Sequence, residues 1–411
     1  MRSTVVSMAV YLDHAATTPM LPVAISAYTQ AMSVVGNPAS IHSVGQNAKR
    51  MLEEAREQVA ATLGCEAIEV VFTGGGTEAV NLGIKGLFWA RPGQRILVAG
   101  GEHHATIDTV EWLAAHEGAV IEWLPLDEFG RLRMPELERA LAEDPSDIAL
   151  VTVLMANNEV GTVQPITEIS AAAARVGVPL HVDAIAAYGQ LPIDFAAIRA
   201  ESGASGGSGL VALSVSAHKI GGPVGIGALV LSRSAKVEAL IHGGGQQRQV
   251  RSGTQDVAAA VSFAAAAVAV QAALPDETAR MAVLRDRLIA GAIAAVPEAV
   301  LNGASPTSGE RLPGNAHFSF AGCEGDSLLF LLDMAGVAVS TGSACQAGIP
   351  EPSHVLVAMG RSVDEARGAL RVTLGHGSTD ADVDAFLAAL PAAYAQAASA
   401  GHADRATSFD R

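Results

Sequence analysis

The sequence has few lysines and fewer cysteines, and both shortages narrow the chemistry that it can perform. Its 411 residues include only four lysines, at positions 49, 85, 219 and 236. A reaction that depends on a side-chain amine therefore has few candidates. The three cysteines, Cys65, Cys323 and Cys345, are far apart and show no CxxC spacing. This pattern argues against a disulfide framework and against a zinc site, and it favours a reducing, cytoplasmic environment.

Positive charge and long hydrophobic runs are also scarce. With 26 basic and 42 acidic residues the formal net charge is -16, which argues against binding to DNA or RNA because phosphate backbones attract clustered Lys and Arg. The first residues lack the apolar core of a signal peptide. The long uncharged run over residues 257–274 is dominated by alanine, and it predicts a buried helix rather than a membrane span. We therefore expect neither a nucleic acid nor a membrane as a partner.

Alternating structural patterns indicate the fold class. Short β-branched runs, apolar on both faces, alternate with helical stretches from about residue 50 to about residue 235, as in a sheet covered by helices on each side. A separate helix over 277–295 then opens a mixed α and β pattern. The sequence predicts an α/β fold with a mostly parallel open sheet in a large domain, plus a smaller α+β domain. We assign residues 20–267 to the large domain, residues 1–19 and 268–398 to the small domain, and residues 399–411 to a frayed tail.

Two predicted strands of the large domain end in residues suited to binding a ligand. The run TGGGT (73–77) follows a strand and precedes a helix. Glycines let the backbone approach an anion and the helix start offers free N–H groups, which suits a phosphate; a plain turn with Thr77 as the helix cap is the alternative. Asp183 ends the strand in HVDA (181–184). Its carboxylate would pair with a protonated heterocyclic nitrogen or cap a helix.

Lys219 and His103 are candidates for covalent and stacking contacts with a cofactor. Lys219 lies in the apolar segment SVSAHKIGG (214–222), where a desolvated amine has a lowered pKa and can form an imine. A snorkelling or capping lysine is the alternative. His103 and His104 follow a predicted strand, but adjacent imidazoles point in different directions, so no metal site is predicted. The ring of His103 would stack on a flat cofactor, or it would cap a helix or lie in the core.

Cys345 and Arg371 complete the set of candidates. Cys345 lies in the small-residue segment STGSACQAG (340–348), which can expose a thiol, whereas Cys65 and Cys323 are expected to be buried apolar fillers. Arg371 interrupts an apolar strand in ALRVTLG (369–375). A buried guanidinium binds a carboxylate through two hydrogen bonds. That carboxylate would belong either to a ligand or to an acidic residue of this chain.

These segments together resemble the cysteine desulfurases of the class V, fold-type I, pyridoxal-phosphate superfamily, from about Tyr11 to Leu390. The segments that carry the resemblance are YLDHAATTP (11–19), GNPASIH (36–42), GGTEAVN (75–81), EHHA (102–105), NNEVGT (157–162), HVDA (181–184), SAHK (216–219), RSGT (251–254) and TGSAC (341–345). The last of these resembles the SGSAC loop of the group I branch. The resemblance implies pyridoxal 5′-phosphate (PLP) as cofactor.

The resemblance also implies roles for individual residues. Lys219 would hold the cofactor covalently as a Schiff base, Asp183 would hold its pyridinium nitrogen, and His103 would stack on its ring. The phosphate would be bound by Gly76, Thr77, Ser216 and His218, with Thr254 reaching in from a partner subunit of a homodimer. Asn158 and Arg371 would bind the substrate carboxylate, with Asn158 also near the phenolic oxygen. Cys345 would attack the substrate sulfur.

The implied reaction removes sulfur from L-cysteine, yields L-alanine and leaves a persulfide on Cys345. That sulfur would pass to an acceptor protein such as an iron–sulfur scaffold or a tRNA-thiolating enzyme. Two features depart from the family: Ala186 stands where a Gln usually donates to the phenolic oxygen, and residues 201–209 look like an insertion. The Ala186 departure predicts weakened activity. The alternatives are a selenocysteine lyase or another PLP-dependent C–S lyase, and a weakly active scaffold that binds partner proteins.

Overall fold

The computed structural model describes residues 10–342 and 352–407. Its strands are β1 (Val10–Tyr11), β2 (Val70–Thr73), β3 (Arg95–Ala99), β4 (Val120–Leu124), β5 (Ile148–Leu154), β6 (Pro179–Asp183), β7 (Gly209–Ser216), β8 (Gly227–Leu231), β9 (Ala299–Leu301), β10 (Asn315–Phe320), β11 (Val337–Ala338) and β12 (Ala369–Thr373). Its α-helices are α1 (Pro22–Met32), α2 (Ser43–Thr62), α3 (Gly76–Trp89), α4 (His104–Glu117), α5 (Met134–Ala142), α6 (Ile166–Arg175), α7 (Phe195–Glu201), α8 (Val257–Ala295), α9 (Gly325–Met334), α10 (His354–Ala358), α11 (Val363–Arg367) and α12 (Asp380–Thr407).

A seven-stranded sheet forms the centre of the larger unit. Its strand order is β2-β8-β7-β6-β5-β3-β4, and every neighbouring pair from β7 to β4 is parallel. Only β8 runs against its neighbours, β7 and β2. Every residue of β5, β6 and β7 is buried, as strands covered on both faces by helices must be. The predicted α/β fold with a mostly parallel sheet is confirmed.

A second hydrophobic cluster lies in the smaller unit. There β12, β10 and β9 form an antiparallel sheet, and β1 pairs with β11. The cluster joins Leu12, from the start of the described chain, to side chains such as Phe318, Leu370 and Phe386. Of the predicted frayed tail, residues 399–407 continue α12 as helix. The early chain thus contributes to the α+β core, while the predicted domain boundaries stay a prediction.

Helix α8 links the two hydrophobic clusters, and here the sequence-based prediction of two separate helices is wrong. Phe263 in its first half packs with α1 and α2 in the larger core, and Leu288 in its second half belongs to the smaller core. Pro275 lies inside the helix without ending it. A proline removes one backbone hydrogen bond, and burial of both halves outweighs that loss. Among the described residues α8 alone is long and apolar enough to span a membrane, but its first half is a core element, as the alanine-rich run predicted.

A chain of buried hydrogen bonds fixes three parallel strands side by side. The His181 ring on β6 contacts Thr152 Oγ1 on β5 through Nδ1 at 2.9 Å, and Ser214 Oγ on β7 through Nε2 at 2.8 Å. Burial lowers the pKa of His181 to about 3, so the ring is neutral and can both donate and accept. Gly83 of α3 lies against this ring: a Cβ there would be 2.6 Å from His181 Cδ2.

We expect Gly83→Ala to lower the free energy of unfolding by about 1–2 kcal/mol, although alanine favours a helix over glycine by about 1 kcal/mol. The added methyl group would meet a ring that cannot retreat without breaking its two hydrogen bonds. Urea unfolding monitored by circular dichroism measures the effect. Gly377→Ala is the control, since a Cβ there meets nothing within 4 Å. A Gly83→Ala protein as stable as the parent would contradict the close packing of α3 on β6.

Candidate active site

A cavity of about 400 Å³ opens where the strand ends of both units meet. Leu154, Asp183 and Ser216, the last residues of β5, β6 and β7, line it from the larger unit. Arg371 and Thr373 of β12 line it from the smaller unit. Ligands of open α/β sheets bind at these carboxyl ends. The predicted site residues that line this cavity are Gly76, Thr77, His103, Asn158, Asp183, Ser216, His218, Lys219 and Arg371.

Lys219 is the lysine of the cavity. It follows β7 in a short 3-10 turn, and its Nζ donates hydrogen bonds to the carbonyl oxygens of Ala15 and Ala16, the latter at 2.8 Å. Burial, assisted by the nearby Arg371 charge, lowers the pKa of Lys219 to about 8. About a tenth of this amine is therefore unprotonated at pH 7, far more than for an ordinary lysine, and this neutral form reacts with a carbonyl group.

Asp183 presents a buried carboxylate at the end of β6. Its Oδ1 accepts the backbone N–H of Ile185 at 2.9 Å. Burial raises the pKa of Asp183 to about 6, while the Ile185 hydrogen bond and the Lys219 charge oppose the rise. The carboxylate is therefore ionised at pH 7 and is able to hold a protonated ring nitrogen. The N–H group of Ile185 belongs to a turn and α7 begins only at Phe195, so the alternative that Asp183 caps a helix is wrong.

The start of α3 and the end of β7 form a cradle for an anion. Gly75 precedes the helix with a φ of 150°, a conformation that favours glycine, and Gly76 and Thr77 are the first helical residues, whose N–H groups have no partner within the helix. Ser216 Oγ is buried and has no hydrogen-bond partner in the described chain. An unpartnered buried hydroxyl beside free N–H groups fits the phosphate of PLP. Thr77 is a helical residue and Gly75 is the cap, so the alternative with Thr77 as the helix cap is wrong, while phosphate binding stays a prediction.

His103 and His218 are neutral rings on two sides of the cavity. Burial lowers the pKa of His103 to about 4, with the Lys219 charge adding to the effect. Its Nδ1 accepts the N–H of Ala105 at 3.0 Å, so Nε2 carries the proton. Burial likewise lowers the pKa of His218 to about 4, and its Nδ1 lies 3.2 Å from Thr17 Oγ1. His103 also caps α4, so the capping alternative is confirmed, while stacking of its ring on a cofactor stays a prediction.

Arg371 is buried in β12 with its guanidinium already engaged. Nη2 donates to Asp13 Oδ1 at 2.9 Å and Nη1 donates to the carbonyl oxygen of Asn158 at 3.0 Å. The internal salt bridge that the sequence left open is thus present. Arg371 Nε and Asn158 Oδ1 are buried without a hydrogen-bond partner among the described residues. Such unpaired groups fit a carboxylate ligand for the guanidinium and a donor ligand for the amide.

Three sequence-based predictions fall elsewhere. Cys345 lies outside the described residues. Thr254 is exposed and does not line the cavity of its own chain, so its predicted contact with a partner subunit stays a prediction. Ala186 does line the cavity, with its methyl group where the resemblance expects an amide donor.

Sequence reasoning missed two acids of the site. Asp13 was quoted within YLDHAATTP without a role, and Glu102 only as the residue before His103. Glu102 is fully buried, its Oε1 accepts the N–H of Leu154 at 2.7 Å, and its Oε2 has no partner in the described chain. Burial, with the Asp183 charge adding to it, raises the pKa of Glu102 to about 8. The only sequence signal was proximity to His103, and it did not reveal the burial.

We expect Glu102→Gln to stabilise the protein increasingly as the pH rises from about 5 to about 8. The pKa of Glu102 is higher in the folded than in the unfolded protein. The folded state is therefore not penalised below the unfolded-state pKa, and it loses stability as the pH rises towards the folded-state pKa. The glutamine variant escapes that loss, which is on the order of 4 kcal/mol by pH 8. Thermal unfolding across this pH range measures the difference.

The matched control is Glu111→Gln, because Glu111 is an exposed residue of α4. The stability difference between this variant and the parent protein should not change with pH. If the stability difference between Glu102→Gln and the parent protein also does not change with pH, Glu102 is not protonated in the folded state.

Known proteins resemble this chain along nearly its whole length. The aminotransferase class-V family matches residues 10–386. An IscS-like cysteine desulfurase of Mycobacterium tuberculosis is 52% identical over 392 residues, which are 94% of this chain and 96% of the relative. The cysteine desulfurase IscS of Clostridium botulinum (strain Kyoto / Type A2) is 38% identical over 385 residues, 93% of each chain.

Solved structures agree with these sequence matches. A NifS-like protein matches with a TM-score of 0.84 at 30% identity, covering 95% of this chain and all of the other. A structure described as SspA in complex with cysteine matches with a TM-score of 0.73 at 29% identity, covering 89% of this chain and 98% of the other. The chain therefore belongs to the aminotransferase class-V family and, within it, to the PLP-dependent cysteine desulfurases.

Proposed function

We propose that this cysteine desulfurase holds PLP through Lys219, Asp183 and the Gly76–Thr77–Ser216 cradle, with His103 against the ring and His218 beside the phosphate. Cys345 then takes sulfur from L-cysteine and passes it to an acceptor protein, such as an iron–sulfur scaffold or a tRNA-thiolating enzyme. The observation that carries the proposal is the single cavity in which a desolvated lysine, an ionised aspartate and an unpartnered Ser216 hydroxyl meet.

Bound PLP supplies an electron sink that stabilises negative charge at the substrate Cα. Asp183, ionised at pH 7, would pair with the ring nitrogen and favour its protonated form. Lys219 acts at the substrate Cα as a base, and its lowered pKa makes the neutral amine available for that proton. Arg371 and Asn158 orient the substrate by its carboxylate.

The thiolate of Cys345 forms the new bond to the substrate Sγ. The Cβ–Sγ bond breaks, the sulfur stays on Cys345 as a persulfide, and Cβ takes up a proton so that alanine is released. Chain length supports this assignment: Gly342 lines the cavity, and Cys345 follows three residues later.

The other two cysteines are poor nucleophiles. Burial raises the pKa of Cys65 to about 12 and that of Cys323 to about 11. A thiol reacts as its thiolate, and both groups are almost wholly protonated near neutral pH. This supports Cys345 as the reactive cysteine.

We expect Cys345→Ser to retain PLP and to bind L-cysteine, while alanine and sulfide release fall together by at least about a thousandfold, as for loss of an essential nucleophile. The measurements are the visible absorption of the cofactor and the rate of alanine formation. Cys65→Ser and Cys323→Ser serve as controls and should keep turnover within a few-fold of the parent. Near-normal turnover by Cys345→Ser would assign the nucleophile elsewhere. Parallel assays with selenocysteine test the lyase alternative.

The proposal includes a homodimer in which Thr254 completes the partner's phosphate site. Its support is an exposed apolar patch over residues 32–44, where Val35 is 81% and Ile41 is 91% exposed. Pro38 and Ala39 from this patch line a surface cleft together with Gln255, next to Thr254. Exposed large apolar side chains are typical of an interface, and Gln255, the residue after Thr254, brings the two predictions to the same cleft.

We expect the double variant Val35→Asp with Ile41→Asp to be monomeric, because charges in a closed apolar interface are costly. If Thr254 serves the neighbouring site, affinity for PLP should fall together with dimerisation. Analytical ultracentrifugation and titration of the apoprotein with PLP measure the two properties. Val283→Asp, at a side chain 69% exposed on α8, is the control and should change neither. Monomers with unchanged PLP affinity would contradict the role of Thr254.

A further inference from the structure

The guanidinium of Arg371 has a fixed partner in the N-terminal segment. Arg371 is 4% exposed, and Asp13 accepts its Nη2–H at 2.9 Å. The carbonyl oxygen of Asn158 accepts from Nη1 at 3.0 Å. Two of the three guanidinium nitrogens are therefore held by this chain, while Nε remains buried without a partner among the described residues. A planar group held at two nitrogens cannot rotate, so the directions of its remaining N–H groups are set.

Asp13 is itself held against the strand that carries Arg371. Asp13 forms a parallel bridge with Thr373, two residues beyond Arg371 on the same face of β12. Thr373 Oγ1 accepts the N–H of Ala15 at 2.9 Å, and the hydroxyl of Tyr11 donates to the carbonyl oxygen of Asp13 at 3.0 Å. The carboxylate is thus anchored through its backbone, and it supplies the countercharge that a buried guanidinium needs before any substrate arrives.

We propose that Asp13 is a positioning residue that aims the guanidinium of Arg371 at the α-carboxylate of the substrate, so that recognition of a carboxylate-bearing amino acid depends on the N-terminal segment. This inference rests on the proposed role of Arg371 in binding the substrate. Asp13 does not touch the reacting atoms in this proposal. Its effect is therefore confined to ligands that carry a carboxylate, which separates positioning from a general structural role.

The test compares two ligands that differ only in the carboxylate: L-cysteine and 2-aminoethanethiol. Both are titrated into the PLP-loaded Cys345→Ser protein, which does not consume them, and binding is followed by the visible absorption of the cofactor. We expect Asp13→Ala to raise the Kd for L-cysteine by about ten- to a hundredfold, the range for loss of a hydrogen bond to a charged group. The Kd for 2-aminoethanethiol should change less than about twofold, and Asp13→Glu should restore part of the lost affinity.

Two reference variants accompany this series. Asp286→Ala breaks the ion pair of Arg285, a guanidinium as buried as that of Arg371, with side chains 5% exposed in both cases. It should leave both Kd values unchanged. Arg371→Gln should raise the Kd for L-cysteine but not that for 2-aminoethanethiol, which tests whether Arg371 binds the substrate carboxylate. Should Asp13→Ala not fold, Asp13→Asn keeps the side-chain shape, removes the charge, and should shift the ratio of the two Kd values in the same direction.

Three outcomes would overturn the inference about Asp13. Equal weakening of both ligands by Asp13→Ala would indicate a structural role, and tighter binding of L-cysteine would indicate that Asp13 competes with the substrate. No change in either ligand would indicate that Arg371 needs no partner. If Arg371→Gln also fails to alter the ratio of the two Kd values, the proposed role of Arg371 fails with it. If Arg371→Gln weakens only L-cysteine binding and Asp13→Ala has no selective effect, the role of Arg371 stands and only the inference about Asp13 fails.

Discussion

The active site depends on three parallel strands that end at the same level. Leu154, Asp183 and Ser216 end β5, β6 and β7, and all three line the cavity. A slip of one residue in β6 would turn Asp183 to the opposite face of the sheet. The buried contacts of His181 with both neighbouring strands oppose that slip, because every partner would lose a hydrogen bond away from water. The direction of the catalytic carboxylate therefore follows from a polar network two residues earlier in the same strand.

Burial brings the pKa values of the two acids and the lysine of the site into the range from about 6 to about 8. It raises the pKa of Asp183 to about 6 and that of Glu102 to about 8, and it lowers the pKa of Lys219 to about 8. Glu102 therefore remains mostly protonated at pH 7, whereas Asp183 is ionised. Of these two neighbouring acids only Asp183 carries a negative charge. The charge is concentrated on Asp183, which in the proposed function holds a protonated ring nitrogen, and part of the Lys219 population is uncharged.

Local patterns allowed much of the fold to be predicted, but contacts between distant residues did not follow from them. The sequence predicts strands over residues 95–99 and 315–320, and β3 and β10 have these bounds because each run is short and flanked by clear breaks. Asp183 and Lys219 stood out because each follows such a run, and the resemblance then gave them roles. Asp13 pairs with Arg371 across 358 positions, a separation that no periodicity records. The burial of Glu102 likewise depends on its contact with β5, and the two predicted helical stretches are one helix across Pro275 because each half packs in a core.

Helix α8 and the N-terminal segment both connect the two sides of the cavity, but they do so through different kinds of contact. Helix α8 contributes Phe263 to one hydrophobic core and Leu288 to the other, so substitutions there act mainly on stability. The N-terminal segment contributes few apolar contacts but many polar ones: the N–H of Thr18 donates to the carbonyl oxygen of His218, and the carbonyl oxygens of Ala15 and Ala16 accept from Lys219. Three residues before Ala16, Asp13 contacts Arg371. This segment therefore sets the positions of Lys219 and Arg371, the proposed reacting amine and the proposed substrate-binding cation, relative to each other.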